Sequence, residues 1–272
     1  MASPSEKGDS TPRQHEEGRS LHEGPIAASL FVTCIVDQFY PNVGDSTVGV
    51  LRSLGVDVDF PESQTCCGQP AFNAGYTGLA VDAARRTLEA FEGARYVVAP
   101  SGSCAAMVKV FYPELLKDDP AALAEARHLA GRTYELSQFI VDVLGQTHPS
   151  ARSGGEPPLR VTYHEGCHLR RELGALTQPR KLIGSLPGVA LTEMEHPDEC
   201  CGFGGTFSVK FTDISGAMLS DKLDRIEATG ADAVVACDSS CLMQIEGGLR
   251  KRGSAVRTLH LAELLDSPST SG

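Results

Sequence analysis

A cysteine pattern occurs twice in this chain of 272 residues and dictates how it must be organised. Cys34 and the adjacent pair Cys66-Cys67 are separated by 31 residues, and that pair lies 36 residues before Cys104. Further along, 32 residues separate Cys167 from Cys200-Cys201, and 39 separate that pair from Cys241. A glycine follows each pair directly, Gly68 in one copy and Gly202 in the other. The offsets between matching cysteines are 133, 134, 134 and 137 residues, and Pro-Ser-Gly-Ser-Cys at 100–104 aligns with Cys-Asp-Ser-Ser-Cys at 237–241. Two in-register copies imply an internal duplication, so the fold of the first half predicts the fold of the second.

Composition marks where the copies begin and end. Residues 1–24 hold Ser, Gly, Pro, Glu and His, with only Met1 and Leu21 as large apolar side chains. Such a stretch buries too little surface to offset its ordering entropy and is expected to be a disordered tail. Residues 145–158 (GQTHPSARSGGEPP) read as a flexible linker, and 267–272 as a second polar tail. These breaks leave a first domain at 25–144 and a second at 159–266.

Each copy alternates apolar runs with helical spacing. In the first, Leu30–Val36, Val56–Phe60 and Tyr96–Pro100 are strand-like, while Ala80, Ala84, Leu88 and Phe91 mark a helix face. In the second, Leu159–Tyr163, Val189–Met194 and Ala233–Cys237 are strand-like. A helix is expected near Gln178–Leu186, with Pro179 in its first turn, and Leu219, Leu223 and Ile226 mark another. The copies close alike, Tyr134–Ile140 against Leu259–Leu265. Strands alternating with helices predict parallel sheets covered on both faces. The expected fold class is therefore α/β: two tandem Rossmann-like parallel-sheet domains related by duplication.

Charge and hydropathy narrow the function. With 24 basic against 35 acidic residues the net charge is −11, which argues against nucleic acid and anionic membrane as partners. No apolar run approaches the roughly 18–20 residues of a membrane span. The best candidate, Ile26 to Val36, has eleven residues and includes Ser29, Thr33 and Cys34. No basic start precedes it as a secretory signal requires, so a soluble, cytoplasmic protein without direct membrane insertion is expected. Nine cysteines, an odd number without an export signal, argue against a disulfide framework and for metal or redox work.

On the predicted frame Cys34 lies in or near the end of the first strand, Cys66-Cys67 just after the second and Cys104 just after the third. Cys167, Cys200-Cys201 and Cys241 repeat that placement. The carboxyl ends of parallel strands lie on one edge, where ligands bind, so distant cysteines converge on one site per domain. Neighbouring residues on an extended chain point to opposite sides, and Gly68 or Gly202 permits the positive-φ turn that redirects the pair. Gly204-Gly205 extends that freedom in the second copy. Four thiolates suit a structural zinc or an iron–sulfur cluster. The ligands spread over whole domains, unlike zinc knuckles, and no compact ferredoxin run occurs.

The doubled Cys-Cys-Gly pattern, with Pro-Ser-Gly-Ser-Cys in one copy and Asp-Ser-Ser-Cys-Leu-Met-Gln in the other, resembles the cysteine-rich CCG domain family over about residues 27–266. The chain is most similar to the branch that serves lactate utilisation. Other branches supply heterodisulfide reductase and glycolate oxidase subunits. The resemblance implies iron–sulfur clusters, of the [4Fe-4S] kind, held by Cys34, Cys66, Cys67, Cys104, Cys167, Cys200, Cys201 and Cys241. It implies electron transfer within a cytosolic multi-subunit system that oxidises L-lactate to pyruvate, with other iron–sulfur subunits and an electron carrier as partners. The chain departs from the fullest pattern, in which each copy ends in Cys-x-x-C: Ser101 and Asp238 replace the earlier cysteine. Some relatives hold zinc at one of two such sites, so zinc at the first site is a further implication.

Three residues stand beside this set. Cys237 precedes the vacated position and suits core packing as well as ligation. His164 and His168 flank Cys167 and are candidates to ligate, donate a proton or hydrogen-bond a sulfide. Other function classes stay open from the residues: a zinc-stabilised scaffold, or a subunit acting on a thiol–disulfide or glycolate. A self-sufficient enzyme is not expected, and no catalytic residue can be picked.

Overall fold

The computed structural model describes residues 26–148 and 157–266. The expected tails, 1–24 and 267–272, and the centre of the expected linker lie outside the described residues. Two sheets of four strands, all parallel, form the framework. The first contains β1 (Ile26–Leu30), β2 (Val56–Asp59), β3 (Val97–Ala99) and β4 (Thr133–Glu135), in the order β2-β1-β3-β4. The second contains β5 (Leu159–Tyr163), β6 (Val189–Leu191), β7 (Ala233–Ala236) and β8 (Arg257–His260), in the order β6-β5-β7-β8. The repeat in the cysteines is thus a repeat in topology, and the α/β reading from sequence holds.

The central strands form where side chains can be buried on both faces. β3 is Val-Val-Ala and β7 Ala-Val-Val-Ala, every residue buried, as expected for strands covered on both sides. Helices Thr77–Ala90 and Thr212–Ala228 follow β2 and β6 and turn Ala80, Ala84 and Leu88, or Leu223 and Ile226, into the core. β1 differs from its expectation. The strand ends at Leu30, and Cys34 opens the helix Cys34–Phe39 rather than lying in an extended run. Thr33 takes φ +70°, which breaks the strand, and the apolar run continues beyond it because Phe31 and Val36 are buried beneath the turn. β6 is also shorter than the apolar run that announced it, ending at Leu191.

The two halves share one core. Val36, Val43, Leu51 and Phe139 of the first belong to the same buried cluster as Tyr163, Leu169, Leu182 and Leu265 of the second. The closing helices cross over to build it. Leu261–Asp266 packs on Pro41–Ser53 of the first half, and Leu136–Gln138 packs on Gln178–Gly184 of the second. Each crossing helix is capped by the last residue of the strand before it. The Glu135 carboxylate accepts from the backbone N–H groups of Ser137 (2.8 Å) and Gln138 (3.4 Å), and His260 Nδ1 accepts from Ala262 N–H (3.1 Å). Among the described residues no helix is long and apolar enough to cross a membrane.

Burial pushes the His260 pKa down to about 4, outweighing the Asp238 carboxylate that acts the other way. The exposed imidazole of the unfolded chain takes up its proton near pH 6.5. Acidification from about pH 6.5 to 4 therefore protonates the unfolded state first and drains stability, by about 3 kcal/mol for this one group. Urea unfolding at a series of pH values should show this slope, and His260→Asn, which keeps a capping side chain, should flatten it across that window.

Candidate metal centre

The order β2-β1-β3-β4 places a reversal of chain direction at β1, and β5 plays the same part in the second sheet. Segments leaving the carboxyl ends of β1 and β3 diverge at that point and leave a crevice between them. Each cysteine is carried there by a different segment. Cys34 starts the helix after β1, Cys66 and Cys67 sit in the turn after β2, and Cys104 lies in the helix Gly102–Ala106 after β3. Cys167 starts the helix Cys167–Arg171 after β5, Cys200 and Cys201 follow β6, and Cys241 lies in the helix Ser239–Arg252 after β7.

The sulfurs of each set meet. Cys34 Sγ is 3.5 Å from Cys66 Sγ, and Cys67 Sγ is 3.4 Å from Cys104 Sγ. In both copies the cysteine before the pair and the first member are partly exposed, while the second member and the last cysteine are buried. The turn that aims them depends on its glycine. Gly68 has φ +83° and Gly202 φ +85°, and their N–H groups point at Cys66 Sγ and Cys200 Sγ, each at 3.4 Å. A Cβ on Gly202 would stand 2.7 Å from the carbonyl oxygen of Ser215, and one on Gly68 would stand 2.9 Å from Ala83 Cβ. Positive φ and a close neighbour thus both require glycine there.

Crowding dictates the protonation of these thiols. In the first set Cys66 is held as thiolate, its pKa lowered to about 3 by the hydrogen bond from Cys34, with further help from Cys67 and Gly68 N–H. Cys34 and Cys67 are pushed up, Cys34 chiefly by donating to Cys66 and Cys67 chiefly by donating to Cys104. The second set repeats this. Cys200 falls to about 2, chiefly through Cys167, and Cys167 and Cys201 rise by donating to it. In each set one thiol is favoured as thiolate and two are pushed the other way, so ionising those two calls for a positive charge among the sulfurs. Metal ions supply such a charge, and their binding displaces thiol protons. The donor set thus fits a metal or an iron–sulfur group, whose ligands are thiolates.

Both sets open onto one cleft of about 160 Å³. Sequence predicted a site in each domain; the structure adds that the sites face a common space. Cys34, Cys66, Cys67 and Cys104 line it together with Cys167, Cys200, Cys201 and Cys241. Gln69 reaches across from the first half: its Nε2 donates to Ser103 O at 3.0 Å and lies 3.5 Å from His168 Nε2. His168 lies on the cleft wall, its Nδ1 3.2 Å from Glu172 Oε2.

The halves are pinned where the cysteine pattern is incomplete. Ser101 and Asp238 form an isolated antiparallel bridge. Ser101 Oγ donates to Asp238 Oδ2 at 3.1 Å, and Ser103 N–H donates to the same oxygen at 2.8 Å. Gly102 N–H donates to Cys237 O at 3.3 Å. Cys237 is buried in the shared core, its Sγ 3.7 Å from the Tyr163 hydroxyl. His164 is fully buried, and neither ring nitrogen has a hydrogen-bond partner among the described residues. His164, Cys201 and Cys241 place one donor atom each within 4.8 Å of one another. Sequence gave no signal for Lys222, which is fully buried and donates to the carbonyls of His196 (2.9 Å) and Pro197 (3.3 Å), holding the approach to Cys200.

Comparison with known proteins agrees with this geometry. Residues 28–109 and 161–246 each match the model of a cysteine-rich domain, CCG. Lactate utilization protein A of Bacillus pumilus (strain SAFR-032) is 48% identical over 238 residues, covering 88% of this chain and 98% of the relative. The protein of that name from Macrococcus caseolyticus (strain JCSC5402) is 48% identical over 242 residues, covering 89% and 97%. Among solved structures, glutamate racemase from Francisella tularensis overlaps 89% of this chain and 78% of its own, at a TM-score of 0.36 and 11% identity, too loosely to carry an argument.

Gly202→Ala should cost about 2–4 kcal/mol, from an unfavourable φ and contact with the Ser215 carbonyl. The loss should appear as weakened metal uptake at the second cysteine set with the first intact, read by metal titration of anaerobic apoprotein.

Proposed function

The chain belongs to the cysteine-rich CCG domain family, with lactate utilization protein A among its near relatives, and on that premise we propose that it is an iron–sulfur electron-transfer subunit of a lactate-oxidising system. Each domain holds one iron–sulfur cluster, of the [4Fe-4S] kind, through four thiolates: Cys34, Cys66, Cys67 and Cys104 in the first, Cys167, Cys200, Cys201 and Cys241 in the second. The observation that carries this reading is the convergence of four cysteine sulfurs per half on the carboxyl edge of a parallel sheet, both sets facing one cleft. A bound cluster supplies reversible one-electron transfer at a potential set by its surroundings.

The chain's own groups do the rest. Gly68 and Gly202 aim the paired cysteines and offer N–H groups to sulfur, which stabilises negative charge there. The Ser101–Asp238 contact fixes one site relative to the other. The partners are other iron–sulfur subunits of lactate utilisation and an electron carrier; the substrate is L-lactate, converted to pyruvate by the assembled system in the cytoplasm. On this reading the task of the chain is to carry electrons.

Iron, sulfide and zinc measured after anaerobic purification, with EPR of the reduced protein, test the reading. About four irons and four sulfides per domain, with two reducible signals, are expected for the proposed clusters. Zinc without iron would make the protein a scaffold. Cys200→Ser should abolish one signal and leave the other. Deletion of the gene should abolish growth on L-lactate; loss confined to D-lactate or glycolate would reassign the substrate.

A further inference from the structure

We infer that His164 is a ligand of the group held at the second cysteine set, so that this site has one donor more than the first. The inference rests on the reading that a metal or iron–sulfur group binds there, and it concerns which side chains hold it. His164 follows β5 directly, at the base of the crevice, where the aligned residue of the first copy, 133 positions earlier, is Phe31. Both are fully buried. Phe31 satisfies its place by packing on Phe91, ring centroids 5.2 Å apart. An imidazole in an equivalent place gains nothing for the fold and brings two nitrogens into a dry interior.

Those nitrogens are the unexplained feature. Neither is hydrogen-bonded within the described chain, and a buried polar atom without a partner is a standing cost that native structures rarely carry. Yet a nitrogen of His164 lies within 4.8 Å of the sulfurs of both Cys201 and Cys241. A group seated among those sulfurs relieves the cost by accepting a nitrogen lone pair. The buried Lys222 side chain is among the neighbours of this ring. Lys222 is itself peculiar to the second copy, its aligned residue in the first being Thr87.

The other candidates for an extra donor are engaged elsewhere. Asp238 is turned toward Ser101 and Ser103 of the first half. Cys237 is set in the shared core beside Tyr163. A fifth donor that carries no charge makes the two groups chemically unequal. A nitrogen added beside four thiolates alters the electronic surroundings of the second group without altering its charge, so the two sites differ in reduction potential.

Pulsed EPR of the reduced, anaerobically prepared full chain tests this, with histidine supplied in turn as the ¹⁴N and ¹⁵N forms. Expected is a nitrogen coupling of the strength of direct coordination in one cluster signal, changing with the isotope and lost in His164→Phe. His168→Gln should retain it. In redox titration one of the two potentials should shift in His164→Phe while the other stays. Absence of coupling, a coupling only as weak as a hydrogen bond gives, or one that persists in His164→Phe overturns the inference. If no cluster assembles, the functional reading fails separately. Cobalt(II) titration of the apoprotein then decides on His164: a changed cobalt spectrum at one of two sites in His164→Phe supports ligation, and identical spectra refute it. The isotope comparison needs no variant, and circular dichroism confirms that the phenylalanine protein, which copies the first half, is folded.

Discussion

Four sulfurs drawn together at a sheet edge cannot all become thiolates without a cation, and the rest of the molecule is arranged around that demand. Each set stabilises one thiolate by hydrogen bonds, from its first cysteine and from the neighbouring cysteine and glycine N–H. Further negative charge in a half-buried crevice is opposed by mutual repulsion and desolvation. A metal-containing group reverses this balance, and its binding free energy then adds to folding. The parallel sheet supplies the geometry, because loops leaving β1, β2 and β3 end on the same edge and need no local ligand spacing to meet. Sites of this kind therefore leave widely separated cysteines in the chain instead of a compact run.

Two sites facing one cleft need a fixed relation, and the structure secures it twice. The closing helix of each half packs on the other half, which merges the cores. Closer to the sulfurs, Asp238 accepts from Ser101 and Ser103 across the approximate symmetry axis. These are the positions at which the fullest cysteine pattern has a further thiol. In this chain Ser101 and Asp238 form an inter-half hydrogen-bonded pair there instead. Glu135 is buried nearby, with its pKa raised to about 7 by burial. Its carboxyl group caps the crossing helix, and these N–H bonds partly offset the cost of burying it.

Much of this was legible in the sequence. The cysteine offsets announced the duplication, and the apolar runs placed β3, β5 and β7 to within a residue or so. Strand ends next to the site were less legible. The run from Leu30 to Val36 reads as continuous apolar chain, but Thr33 bends it at positive φ, and only the tertiary packing of Phe31 and Val36 explains why apolar residues persist past the bend. The crossing helices were invisible because an amphipathic segment does not declare which half it covers. Lys222, Glu135 and the Ser101–Asp238 contact were likewise hidden, since each acquires meaning only from a partner distant in sequence. Periodicity reports burial, and it is silent about which buried polar group faces which.

Duplication also supplies an internal control that a single domain lacks. Where both copies keep a residue type, as with the eight matched cysteines and the turn glycines, one geometry serves both. Where the copies differ at aligned and equally buried positions, the fold has shown that it accepts either residue, and packing alone does not account for the difference. Phe31 against His164 is such a position, and Thr87 against Lys222 is another. Each change adds a nitrogen to the second site, one a neutral donor and the other a cation. One cysteine frame, used twice, thus carries two chemically different surroundings at matched buried positions, a difference that the duplicated fold tolerates and does not itself require.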